Sequence, residues 1–196
     1  MTESLKQKTA KGLFWGAMNS GSTQILNLIF GIVLGRMLSP EIYSVVAILT
    51  IFVAIAGDLQ SSGFTQALVN IKRPTDRDYN SVFSFNVVMS VMMYFILFLC
   101  APLIAGFYDR PYLTEVSRVL FLSFLIASIG IAHGGYMMKN MMNKEMAIIG
   151  FIALIVSGAT GITLAFLGKT YWALVWQQIA YISVTVIGKF FFVKEW

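Results

Sequence analysis

The stretch Tyr79–Tyr108, YNSVFSFNVVMSVMMYFILFLCAPLIAGFY, runs for 30 residues without one charged side chain. An ionised side chain at the centre of a bilayer costs at least ~2.5 kcal/mol, so uncharged apolar runs of this length are typical of membrane-spanning segments. A helix that rises ~1.5 Å per residue crosses a hydrocarbon core of ~30 Å in ~20 residues. This stretch therefore predicts a transmembrane helix.

The rest of the chain repeats this pattern. Further uncharged runs are Gly12–Gly35, Val119–Met138, Met146–Gly168 and Thr170–Gly188, and Asp58 alone interrupts a run from Ile42 to Ile71. Residues in these runs do not alternate between apolar and polar, as the strands of a transmembrane barrel would. We predict an all-α, polytopic membrane protein, with 1–196 as a single domain. Its six predicted spans are 13–35, 42–64, 82–106, 116–138, 146–167 and 170–191.

Composition supports this class and excludes several kinds of site. Of 196 residues, 58% are hydrophobic and 12% are charged, whereas soluble proteins are roughly half apolar and a quarter charged. The single cysteine, Cys100, and the single histidine, His133, cannot form a disulfide or a zinc site by themselves. We expect Cys100 to pack in the bundle and His133 to form hydrogen bonds near the membrane interface. We predict no catalytic residue, no metal, no cofactor and no enzymatic activity.

The distribution of Lys and Arg predicts the orientation, because cytoplasmic loops carry an excess of both. With the N-terminus inside, four cations lie outside: Arg36, Arg110, Arg118 and Lys169. Ten lie inside: Lys6, Lys8, Lys11, Lys72, Arg73, Arg77, Lys139, Lys144, Lys189 and Lys194. We therefore expect a multi-pass membrane protein with both termini in the cytoplasm. The first apolar run is also too long for a cleaved signal peptide. Topology and anionic lipid explain the net charge of +5, so we predict no nucleic-acid partner.

Polar side chains recur every three or four residues on four of the predicted helices, which places them on one face of each helix. The first helix carries Thr23, Gln24 and Asn27, and the sixth carries Gln178, Tyr181 and Thr185. Such a face suits either close helix packing or a water-filled cavity. Packing is the favoured interpretation for the Gly and Ser positions, and both remain open for the others. The candidate lumen residues are Gln24, Asn27, Asp58, Asn86 and Gln178. For Asp58, an ion or proton role and a structural role both stay open.

Short ordered motifs resemble the N-terminal half of bacterial polysaccharide flippases of the Wzx type. They include Gly12–Trp15, Leu34–Tyr43, Ser62–Leu68, Phe83–Asn86, Ala101–Tyr108 and Trp172–Val175. The similarity covers nearly the whole chain and is closest to the colanic-acid-exporter-like branch. That branch belongs to the multidrug, oligosaccharidyl-lipid and polysaccharide exporter superfamily. Members of that branch carry an acidic residue just before the Gly-Phe pair of the second helix. This sequence has Ser61 and Ser62 there instead. It also corresponds to one six-helix lobe, whereas family members have two.

The resemblance implies a protein of the bacterial inner membrane that flips oligosaccharide repeat units linked to undecaprenyl diphosphate, for lipopolysaccharide, capsule or exopolysaccharide biosynthesis. Two lobes would alternate access to a polar cavity between them. Cations would attract the diphosphate, and the candidates are Arg36, Arg118 and Lys139. The expected partners are the lipid-linked oligosaccharide, membrane lipid, and either a missing C-terminal lobe or a second copy of the chain. We expect this chain to be a truncated form of a two-lobed protein.

Two other functions remain open. A cation-coupled multidrug antiporter belongs to the same superfamily, but it would be expected to carry more acidic residues in its spans than the single Asp58. A non-transporting membrane subunit, or a truncated remnant, would need only surfaces for assembly. Neighbouring genes for glycosyltransferases and a polymerase would favour the flippase over both alternatives.

Overall fold

A computed structural model describes residues 5–61, 70–72 and 74–193, apart from some side chains within 5–22 and 56–61. These residues form helices and short connections, with no strand in the described ranges. The all-α prediction is confirmed. The helices are α1 (Leu5–Met37), α2 (Pro40–Ser61), α3 (Asp76–Phe107), α4 (Leu113–Ile129), α5 (Ile131–Lys139), α6 (Asn143–Phe166) and α7 (Thr170–Phe192).

Local sequence signals explain several helix ends. Pro40 is the first residue of α2, a position where its missing N–H has no helical partner to lose. Before α3, the backbone N–H and the hydroxyl of Thr75 both donate to Oδ2 of Asp78, each at 2.8 Å. The carboxylate of Asp78, at the third helical position, thus accepts the backbone N–H of the N-cap residue Thr75, as in a capping box. Gly168, with φ of 72°, ends the turn after α6 in the left-handed region that glycine tolerates best.

The fourth predicted span, 116–138, consists of two helices rather than one. Helices α4 and α5 meet at Gly130 with a bend of 44°. A Cβ atom at Gly130 would lie 2.9 Å from Cγ2 of Val186 on α7. Glycine therefore allows α7 to approach the break closely, and the bend has an identifiable packing cause.

The fold is that of a membrane protein. Helices α3, α6 and α7 are each long and apolar enough to cross a bilayer, and the bent pair α4 and α5 passes the same test as one unit. Shorter apolar helices cover Thr23–Met37 and Pro40–Ile55 among the described residues. A helix is therefore present at each of the six predicted segments, while the count of six crossings remains a prediction.

The helices pack in a continuous order, with α3 against α4, α4 against α7, α7 against α6, and α6 against α1. Helix α2 contacts α7, α4 and α3 less extensively. The core between α4 and α7 contains fully buried Leu113, Phe121 and Val175. Large apolar side chains such as Leu103 and Phe191 are 72% exposed on the outside, as expected for a surface that faces lipid.

Candidate functional site

A cavity of about 730 Å³ opens between α1, α2, α4, α6 and α7. We call it the large cavity. Aliphatic side chains such as Leu120 and Leu154 form part of its wall. Amides and hydroxyls form the remainder: Asn27, Tyr43, Thr50, Ser157, Gln177, Gln178 and Tyr181. The wall carries no charged side chain among the described residues, so the cavity combines neutral hydrogen-bonding groups with an apolar surface.

Helix geometry positions these polar groups. Gln177, Gln178 and Tyr181 lie within one turn of α7, so their side chains reach the same cavity. Gln177 also packs closely on α6, since a Cβ at Gly161 would lie 3.0 Å from its Oε1 atom. Glycine at position 161 leaves room for this amide.

The hydroxyl groups of the large cavity retain bonding capacity. The Thr50 hydroxyl donates to the carbonyl of Val46 at 2.7 Å, which leaves its oxygen as an acceptor. The Tyr43 hydroxyl is buried and has no hydrogen-bond partner among the described residues. A buried hydroxyl without a partner is costly, so a ligand or water that bonds to it would be favoured. Neutral donors and acceptors of this kind match the hydroxyl groups of a sugar.

A second cavity of about 370 Å³, the small cavity, lies between α1, α6 and α7. Its polar lining residues are Thr23, Gln24, Tyr181, Thr185 and Lys189. Tyr181 lines both cavities, which places them next to each other along α7. In the predicted orientation, α7 runs inward from Thr170, so the small cavity lies on the cytoplasmic side of the large one.

The predicted lumen residues have different locations. Asn27 and Gln178 line the large cavity, and Gln24 lines the small one. Asn86 is fully buried on α3, where its Nδ2 donates to the Val82 carbonyl at 2.8 Å, and it lines neither cavity. The side chain of Asp58 lies outside the described residues. Roles in substrate transport for these five residues remain predictions.

None of the three predicted diphosphate-binding cations lines either cavity. Arg36 is exposed at the end of α1. The guanidinium carbon of Arg118 lies 4.0 Å from the ring centre of Phe98, in a cation–π contact between α4 and α3. Lys139 donates a hydrogen bond to the carbonyl of Ile71. Their role in binding the diphosphate also remains a prediction.

Lys189 is the residue whose position the sequence analysis missed. It was expected only as a cytoplasmic cation, but its half-buried side chain lines the small cavity. The polar face Gln178, Tyr181 and Thr185, continued by four residues, reaches Lys189. That spacing was the available signal. His133 is buried beside Lys189, and the centre of its ring lies 3.8 Å from the ring centre of Phe190.

Three relatives are similar to most of this chain. The teichuronic acid biosynthesis protein TuaB of Bacillus subtilis is 28% identical over 130 residues, which cover 65% of this chain and 26% of TuaB. The succinoglycan biosynthesis transport protein ExoT of Rhizobium meliloti is 25% identical over 96% of this chain and 38% of ExoT. The lipopolysaccharide biosynthesis protein WzxC of Escherichia coli is 22% identical over 90% of this chain and 35% of WzxC.

The chain therefore spans between about a quarter and two fifths of the length of these relatives. No solved structure matches it with significance. The polysaccharide biosynthesis protein family matches residues 33–195, which include all of α2 to α7. This membrane chain belongs to the polysaccharide biosynthesis protein family.

Proposed function

We propose that the chain forms one lobe of a transporter in the bacterial inner membrane that moves a lipid-linked oligosaccharide from the inner to the outer leaflet. The observation that carries the proposal is the large cavity, whose wall brings neutral amides and hydroxyls together within an otherwise apolar bundle. A glycan cannot cross hydrocarbon without partners for its hydroxyl groups, whereas a polyprenyl tail can remain in lipid. The names of TuaB, ExoT and WzxC support polysaccharide precursors as the class of cargo.

The chemistry of the cavity favours a glycan over a cationic drug. Gln177 and Gln178 each offer two donors and an acceptor, and Tyr43 and Tyr181 offer hydroxyls beside an aromatic ring. An organic cation would be expected to need a carboxylate, and the described lining residues include no Asp or Glu. Neutral hydrogen bonding would let one cavity accept several sugars in different orientations.

Transport by alternating access needs a second surface opposite this lobe. Gln24 and Asn27 line the cavities and are also exposed on α1. Amide groups exposed to hydrocarbon are unfavourable, so another surface would cover them in the working transporter. A C-terminal lobe or a second copy of the chain would supply it, and the site would then lie between two lobes.

The predicted cations would act at the two ends of this path. With both termini in the cytoplasm, Arg36 and Arg118 lie near the outer leaflet and Lys139 lies near the inner one. The diphosphate moves between these two surfaces as the lipid is flipped, so a cation at each end would suit a headgroup that is accepted and released.

The test is deletion of the encoding gene followed by complementation. We expect lipid-linked repeat units to accumulate on the inner leaflet and surface polysaccharide to fall, and the wild-type gene should restore both. Asn27→Leu and Gln178→Leu should restore polysaccharide poorly, at normal protein levels. Thr163→Leu is the matched control, because it replaces an exposed polar side chain of α6 that lines neither the large nor the small cavity. Unchanged polysaccharide together with new sensitivity to cationic dyes would instead indicate a drug antiporter.

A further inference from the structure

We infer that Lys189 forms an anion site in the small cavity, and that it exchanges the carbonyl of Gly130 for a phosphate oxygen of the lipid-linked substrate. The inference rests on the proposed function and assigns the site that receives the diphosphate on the cytoplasmic side. Lys189 was not among the cations predicted for this role.

The bonding of Lys189 leaves donors for a ligand. An ammonium group has three N–H donors. The hydrogen bond described for Nζ goes to the Gly130 carbonyl at 3.5 Å, which is long for an N–H donor. Within the described part of the chain, no carboxylate lies within salt-bridge distance of Nζ. A half-buried cation with one weak partner gains more from an anion than a solvated lysine would.

The surroundings of Nζ suit a phosphate group. Gln24 and Tyr181 bring an amide and a phenol hydroxyl, both donors, to the same cavity. The Thr185 hydroxyl donates to the Tyr181 carbonyl at 2.8 Å. The basic ring of His133 is close enough to interact electrostatically with Lys189. The small cavity therefore has donors and positive charge, while the large cavity is neutral.

Two glycines give the ammonium its space. A Cβ at Gly134 would lie 3.2 Å from Nζ of Lys189, and one at Gly130 would lie 3.5 Å from Cδ of the same side chain. Gly130 is the break between α4 and α5, and Gly134 lies in the first turn of α5. The ammonium thus lies against the carbonyl end of α4, which is a favourable position for a cation. An incoming phosphate oxygen would compete with the Gly130 carbonyl for this ammonium.

The position along α7 fits a bound lipid-linked glycan. Lys189 is 19 residues beyond Thr170, or about 28 Å along the helix axis, which is the thickness of the hydrocarbon core. A diphosphate at the inner surface would meet Lys189 at this depth. Gln178 lies about 16 Å further out, so sugars linked to that diphosphate would reach the large cavity.

The experiment measures binding without transport. The purified chain in phosphatidylcholine nanodiscs is titrated with undecaprenyl diphosphate and with undecaprenol. We expect the diphosphate to bind about tenfold tighter, and Lys189→Gln to abolish this preference. The affinity of Lys189→Arg for undecaprenyl diphosphate should stay within about threefold of the wild-type affinity. Lys144→Gln, at an exposed lysine on the same predicted side, should have no effect.

Further measurements separate folding and ligand source. Gly134→Val keeps the charge but fills the space beside Nζ, so it should also weaken diphosphate binding, and thermal unfolding identifies any misfolded variant. Competition by inorganic pyrophosphate would show a site that binds the free headgroup. Failure to compete would show that the lipid is also required. Equal competition by phosphatidylglycerol, or wild-type binding by Lys189→Gln, would overturn the inference. If diphosphate binding holds but gene deletion leaves polysaccharide unchanged, the proposed function fails and the anion site does not.

Discussion

The hydroxyl of Ser90 donates a hydrogen bond to the hydroxyl of Ser128, with 2.9 Å between the two oxygens. Both serines are buried, and the bond joins α3 to α4 two residues before the bend at Gly130. The Ser128 hydroxyl in turn donates to the Leu125 carbonyl at 2.8 Å. A polar chain of this kind fixes the relative register of two otherwise apolar helices next to the break.

Replacing Ser90 by Ala should lower the free energy of unfolding by about 0.5–1 kcal/mol, because one interhelical hydrogen bond is lost in a membrane bundle. Denaturant unfolding of the purified chain, followed by circular dichroism, measures the effect. Ser81→Ala is the control, since the Ser81 hydroxyl is exposed and, among the described residues, bonds only to the Arg77 carbonyl of its own helix. Equal stability of Ser90→Ala and wild type would show that the contact is energetically neutral.

Replacing Gly158 by Ala should disrupt the packing of α1 on α6. The ring of Phe30 occupies the space in which a Cβ at Gly158 would lie. We expect a loss of roughly 1–3 kcal/mol in stability, the usual cost of overpacking, and recovery when Phe30→Ala is added. Gly31→Ala, at a glycine of α1 with open space around it, is the matched control. Additive losses in the double variant would contradict this packing.

Variants at the contact between Arg118 and Phe98 can distinguish a structural role of Arg118 from a role in transport. If the guanidinium mainly packs on the ring, Arg118→Gln and Phe98→Leu should each reduce stability, with a coupling of about 0.5–2 kcal/mol in a double-mutant cycle. Complementation by Arg118→Gln is measured in parallel. Normal stability with impaired polysaccharide export would instead support Arg118 as a cation for the diphosphate.

Much of the fold could be predicted because the bilayer imposes a one-dimensional rule. The uncharged run Tyr79–Tyr108 nearly coincides with α3, which ends at Phe107, since charge cannot enter hydrocarbon cheaply. Periodicity likewise selected Asn27 and Gln178, which line one cavity. It could not distinguish them from Asn86, whose amide donates to a carbonyl of its own helix. The spacing of polar residues shows which face of a helix they share, but it does not show which other helices pack against that face.

Lys189 shows why the rest of the site could not be predicted from the sequence. A lysine near the end of a span is typical of a charge at the membrane surface. Its contact with the Gly130 carbonyl depends on the bend between α4 and α5, which brings a residue 59 positions earlier in the chain against α7. The glycines at 130 and 134 are visible in the sequence, but their partner is not.

The topology prediction follows from the distribution of cations, ten inside and four outside. Alkaline phosphatase, which is active only outside the cytoplasm, should be inactive when fused after Lys194 and active when fused after Arg110. A green fluorescent protein fused after Lys194 should fluoresce, which controls for expression. Phosphatase activity at Lys194 would contradict the predicted orientation of both ends.

The last prediction is that the purified 196-residue chain in lipid vesicles will not translocate a fluorescent lipid-linked glycan unless a second lobe is supplied. Gln24 and Asn27 are exposed beside the two cavities, so a single lobe would present amides to lipid rather than to a closed path. The relatives, of which the matches cover 26% to 38%, have enough further chain for a second lobe. Co-reconstitution with the C-terminal part of a relative such as ExoT should then restore transport. Transport by the chain alone, with a dimer found by cross-linking through Gln24→Cys in a Cys100→Ala background, would show that a second copy supplies the missing surface.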